Sequence, residues 1–186
     1  MVARLFWRPH TLACVLAVTA AGSTVLGQPR ITVKSFQTLR SDVAQVRQMR
    51  GIRDVRARWM PLPSAQRALQ PAAMDRITVL GSRTIPGALR RERRPELSGD
   101  RLVIVSVDRN GRELDWRMIP NPRVLRAELP GPGGTLTGGP IETADADLEF
   151  AIPDLPEVDR VEIYQPRWNG SEFILTAVGV LPLDIR

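Results

Sequence analysis

The dipeptide Asn110-Gly111 lies between two apolar-rich runs, 102–107 (LVIVSV) and 114–119 (LDWRMI). Asn-Gly readily adopts the positive-φ backbone of a tight hairpin turn, so this stretch is committed to an antiparallel strand pair. A two-residue turn places Arg109 opposite Arg112, and Val107, Val105 and Val103 opposite Leu114, Trp116 and Met118. Because side chains alternate along a strand, all six of these apolar residues are expected on one inward face, with Trp116 as a core residue. The same register sets Asp108 against Glu113, two like charges at the open end of the hairpin.

Further strand signals follow at short intervals. Leu125, Ala127 and Leu129 alternate with Arg126 and Glu128, and Leu148, Phe150 and Ile152 alternate with Asp147 and Glu149. Val161 and Ile163 mark another strand, and a second Asn-Gly at Asn169-Gly170 precedes an apolar run over 173–181. With the run at 76–80 (RITVL), these form a series of short strands spaced as in a sandwich of two sheets. The expected fold is mainly β: a C-terminal antiparallel β-sandwich over residues 95–186, preceded by a basic, partly helical segment. In strand count and spacing alone it resembles the immunoglobulin and fibronectin type III architectures. The paired cysteines of antibody domains are absent, and an architecture does not determine a function.

Residues 28–94 carry a different pattern. Phe36, Leu39, Val43, Val46, Met49, Ile52, Val55 and Trp59 recur every three or four residues, which predicts a helix over 38–59. Ser41-Asp42 can cap a helix start, Gly51 weakens the middle, and Pro61 and Pro63 end it. Residues 82–99 read as a linker. Charge divides the chain at the same place. Residues 28–94 hold fifteen basic and four acidic side chains, a net of +11, whereas 95–186 hold nine arginines and sixteen acids, a net of −7. Such asymmetry suggests a basic segment appended to an acidic domain that folds on its own.

The first 27 residues read as a secretory signal peptide. Arg4 and Arg8 precede an uncharged stretch over 11–27 that ends in small residues, with Gly27 the preferred cleavage point. A retained membrane anchor is the alternative, although the stretch is short for a span. Export to the periplasm or the exterior is therefore expected. The only histidine, His10, and the only cysteine, Cys14, both lie inside this segment. A processed chain would lack imidazole and thiol, which excludes Ser-His-Asp triads, cysteine nucleophiles, His/Cys zinc sites and disulfides. No cofactor is expected.

Four groups of residues merit weighing as sites. Asp145, Asp147 and Glu149, with Glu142 nearby, fall at alternate positions and could present oxygen ligands to Ca²⁺ from one strand face. The same carboxylates could serve a carbohydrate-cleaving enzyme, whose chemistry needs only two facing acids. Trp168 is the aromatic expected near a loop tip, free to contact a partner, and the glycine-rich stretch 130–140 reads as a long loop. Arg90, Arg91, Arg93 and Arg94 form a basic run suited to an anionic surface; an exported chain with no interleaved stacking aromatic is a poor match to nucleic acid. The expected function is a non-enzymatic binding or structural module of the cell envelope or exterior, serving a protein or an envelope polymer. The alternative is a carboxylate-dependent enzyme acting on carbohydrate.

Overall fold

The computed structural model describes residues 33–46, 51–70, 73–130 and 132–183; the expected signal peptide lies outside them. The elements run β1 (Val33–Ser35), α1 (Phe36–Asp42), β2 (Ile52–Met60), α2 (Ser64–Leu69), β3 (Arg76–Ile85), β4 (Arg101–Val107) and β5 (Glu113–Pro120). They continue with β6 (Val124–Pro130), β7 (Leu136–Glu142), β8 (Ala146–Pro153), β9 (Arg160–Trp168) and β10 (Phe173–Pro182). The fold is mainly β, and its sheets are antiparallel: five strands in the order β1-β10-β9-β4-β5, three in the order β3-β2-β8, and a β6-β7 hairpin. Among the described residues, no helix is long and apolar enough to cross a membrane.

Buried side chains explain why the elements take this arrangement. Val55, Ala57 and Trp59 of β2, with Leu148, Phe150 and Ile152 of β8, share one cluster with Leu102, Ile104, Val161, Ile163, Val178 and Leu181 of the five-stranded sheet. The opposite face of that sheet is also covered. There Val103, Val105, Val107, Trp116, Tyr164 and Leu175 pack under Phe36, Leu39 and Val43. Burial on both faces accounts for the nearly unbroken apolar run of β4, where a half-exposed strand would alternate with polar residues.

The helix expected over 38–59 is corrected. Helix α1 stops at Asp42, and Ile52–Met60 is a strand between β3 and β8. Val55 and Trp59 lie four apart, a spacing that suits a helix turn and a strand face equally. Tertiary pairing decides between them: Ala57 is buried with both, while Arg56 and Arg58 point outward opposite Glu149 and Asp147 of β8. This placement also carries the core across the expected boundary at residue 95. The basic half supplies the central strand of the three-stranded sheet and, with Val55, Ala57, Trp59 and Ile77, part of the core it shares with the acidic half.

In the β4–β5 hairpin, Val105 pairs with Trp116 and Val103 with Met118, as expected. A bulge between Ser106 and Val107 then moves Glu113 opposite Val107 and turns Leu114 toward the other cluster. The turn is larger than two residues. Asp108 accepts from the backbone N–H of Asn110 at 2.9 Å and of Arg112 at 2.8 Å, and Gly111 supplies a φ of 83°. These bonds hold Asp108 below the usual carboxylate range, the Arg112 N–H first among them. The expected repulsion from Glu113 does not arise, because Glu113 pairs with Lys34. The glycine-rich stretch 130–140 is a correction too: from Leu136 onward it is strand β7, hydrogen-bonded to β6.

Candidate anion-binding surface

Strand β5 is an edge of the five-stranded sheet, and the chain leaving α1 covers it. The Trp116 indole N–H donates to the Val43 carbonyl at 2.9 Å, and Phe36 meets the indole edge-on at 5.2 Å. Gln45 Nε2 donates to the Trp116 carbonyl at 3.2 Å, and the Val46 N–H donates to Asp115 Oδ1 at 2.8 Å. Trp116 is thus a core residue, as the sequence predicts, and its polar edge ties down the segment that covers it.

Beside it lies a buried ion pair. Arg117 Nε donates to Asp115 Oδ2 at 2.8 Å, and Nη2 donates to Asp115 Oδ1 at 3.1 Å and to the Val46 carbonyl at 2.5 Å. The remaining nitrogen, Nη1, donates to the Arg90 carbonyl at 2.9 Å. Burial pushes the Asp115 carboxyl up to about 6, against the pull of Arg117 and the Val46 N–H. Gln45 completes the clamp: its Oε1 accepts from the Glu92 N–H at 3.1 Å, and the Glu92 carboxylate pairs with Arg101 at 2.7 Å. Residues 90–92, expected in a linker, therefore have a backbone fixed to the sheet edge.

That fixed backbone displays Arg90, Arg91, Arg93 and Arg94, all exposed. The contrast with the other arginines is informative. Arg53, Arg56, Arg58, Arg67, Arg83, Arg101, Arg109, Arg112, Arg117, Arg123, Arg126 and Arg160 each meet a carboxylate. The arginines of the ledge, together with Arg40 in the last turn of α1, have no carboxylate partner among the described residues, and neither do Arg76 of β3 and Arg167 of β9. Arg40, Arg91 and Arg93 border one depression of about 70 Å³, with Pro95 and Trp116 in its wall. Arg40 and Pro95 also border an adjoining open groove of about 600 Å³ that reaches Phe36, Leu97 and Phe173. Trp168, 59% exposed, packs edge-on against Phe173 at 5.2 Å, so the expected contact residue stands beside the far end of this groove.

The acidic candidates have a different role. Arg58 donates to both Asp145 and Asp147, and Arg56 pairs with Glu149 at 2.9 Å. Arg123 reaches Glu142 at 3.5 Å while its guanidinium lies 4.8 Å from the Trp59 ring centre. The hydrogen bond that Arg58 donates to Asp147, and the charge of that carboxylate, raise the Arg58 pKa. Asp145, Asp147 and Glu149 are each paired with an arginine of β2. Among the described residues no group of three or more His, Cys, Asp or Glu is placed to hold a metal. The charge split between the halves is answered inside the molecule, by Arg53 with Asp154, Arg56 with Glu149, Arg58 with Asp145 and Asp147, and Lys34 with Glu113.

Two buried polar groupings escape sequence reasoning. Asp75 accepts from the Trp59 indole N–H at 2.9 Å and the Leu62 N–H at 3.0 Å, and pairs with Arg67. The Tyr164 hydroxyl donates to Glu162 at 2.6 Å, with Lys34 4.6 Å from the ring centre. Burial, and then Glu162, raises the Tyr164 pKa. Comparison with family models, curated proteins and solved structures gives no significant match.

Proposed function

We propose that the protein is an exported, non-enzymatic binding module of the cell envelope or exterior. Its two larger sheets would form the layers of an immunoglobulin- or fibronectin type III-like β-sandwich, and its working surface is the arginine ledge beside β5. One observation carries this reading: among the described residues most arginines meet a carboxylate, whereas those at 40, 90, 91, 93 and 94 have no such partner and four of them stand within five positions of the chain. Unpaired guanidinium groups on a fixed backbone repel one another, and a negatively charged partner relieves that repulsion. The uncharged stretch over 11–27 supports export, which favours an envelope polymer or lipid headgroup over nucleic acid as that partner.

Co-sedimentation of protein purified from its own host with vesicles tests the proposal. Phosphatidylglycerol vesicles should bind it at low salt and phosphatidylcholine vesicles should not. Binding should weaken as the Debye length falls below about 10 Å. Indifference to anionic vesicles and to anionic envelope polymer at every salt concentration removes the reading.

A further inference from the structure

We propose that the depression between Arg40, Arg91 and Arg93 is a discrete site for one phosphate group, distinct from the diffuse attraction of the ledge. The inference rests on the ledge being the working surface, and it names the chemical group that surface selects. Arg40 comes from α1 while Arg91 and Arg93 come from the segment before β4, so two separate parts of the chain contribute cations to one concavity. Both parts are held in place from below. Helix α1 is anchored by buried Phe36 and Leu39, and the second segment by Arg117 at the Arg90 carbonyl and by Gln45 at the Glu92 N–H. Glu92 also borders the depression, but its carboxylate is engaged by Arg101 at 2.7 Å.

Size and shape restrict the occupant. The depression is small, about 70 Å³, a size suited to a single oxyanion. A tetrahedral phosphate offers oxygens in three directions to three guanidinium forks, whereas a carboxylate offers two oxygens in one plane. Because Arg40 and Pro95 also border the larger groove, a phosphate seated here would direct its ester substituent toward Leu97 and Phe173. That geometry suits a phosphodiester bearing an apolar or extended group. A lipid headgroup and a free phosphate share the recognised chemistry.

Titration calorimetry with inorganic phosphate at low salt, with acetate as the comparison anion, tests the site. Saturable one-to-one binding of phosphate is expected, with acetate weaker by about tenfold. The triple variant Arg40→Gln, Arg91→Gln, Arg93→Gln should lose phosphate binding by at least about tenfold. Arg90→Gln with Arg94→Gln, on the same ledge but outside the depression, should change it by no more than about twofold. Circular dichroism of each variant confirms that it is folded. Phosphate displacing the protein from phosphatidylglycerol vesicles identifies the headgroup phosphate as the ligand; saturable phosphate binding without displacement identifies free phosphate. If both variants weaken vesicle binding in proportion to charge and phosphate does not saturate, the ledge reading stands and the discrete site is refuted. Absence of both phosphate and vesicle binding refutes both.

Discussion

Arg117 joins the sheet edge to the ledge, its Nη1 donating to the Arg90 carbonyl at 2.9 Å while its Nε holds Asp115 at 2.8 Å. A buried guanidinium thus spends one nitrogen on the backbone from which the exposed arginines project. Replacing Arg117 with Ala leaves the Asp115 carboxylate buried without its cation. The expected loss is about 3–5 kcal/mol in denaturant unfolding, accompanied by faster proteolysis around residues 88–95. A change near zero would show that the pair does not anchor the segment.

Asp115 itself gives a pH signature. Its carboxyl is pushed up to about 6 by burial, above the ordinary aspartate value of 3.8 that holds in the unfolded chain. The folded state therefore binds this proton more tightly than the unfolded state between those two values. The contribution of Asp115 to stability is greatest at low pH, declines as pH rises from about 4 through 6, and is level above. Carboxyl NMR should report a midpoint near 6, and the stability difference between wild type and Asp115→Asn should vary across that window. A midpoint below the ordinary value would mean that the Arg117 charge outweighs burial.

Trp116 fills the space between Phe36 and Val105 and bonds to Val43. Truncation to Ala should cost about 3–5 kcal/mol. Trp116→Phe, which keeps most of the ring area but loses the N–H, should cost less and loosen residues 43–46 in hydrogen exchange. Equal losses in both variants would place the energy in the hydrogen bond and not in the packing.

Removing residues 1–95 takes away β2 and β3, hence Val55, Ala57, Trp59 and Ile77 from the shared core and the only strand paired with β8. The remaining chain should show no cooperative unfolding transition by circular dichroism. A sharp transition would restore the acidic half as an independent domain.

These expectations follow the contrast between what was legible in the sequence and what was not. The β4–β5 hairpin was legible because turn chemistry and alternation are local: Val105 faces Trp116 as their spacing from Asn110-Gly111 requires. Its bulge was not, since Asp108 builds the turn with side-chain bonds that apolar patterning does not encode. Strand β2 was misread because Val55 and Trp59 satisfy either period, and the carboxylates that pair with its Arg56 and Arg58 lie on a distant part of the chain. Asp145 and Asp147 were visible, but their counterion Arg58 lay 87 and 89 residues away. Of the ledge, Arg90, Arg91, Arg93 and Arg94 were visible as a run of charge; Arg40, and the Asp115–Arg117–Gln45 clamp that fixes the run, depend on long-range contacts alone.

The most direct measurement compares free with neutralised arginines at equal net charge. One variant changes Arg90, Arg91, Arg93 and Arg94 to Gln; the other changes Arg56, Arg83, Arg109 and Arg112, which are also exposed but paired with carboxylates. Affinity for phosphatidylglycerol vesicles is then measured across a salt series. The account predicts that the first variant loses binding at every salt concentration, while the second stays within about twofold of wild type at 0.1 M salt, where long-range charge is largely screened. Equal loss in both variants, or loss only in the second, would contradict the claim that the unpaired ledge is the working surface.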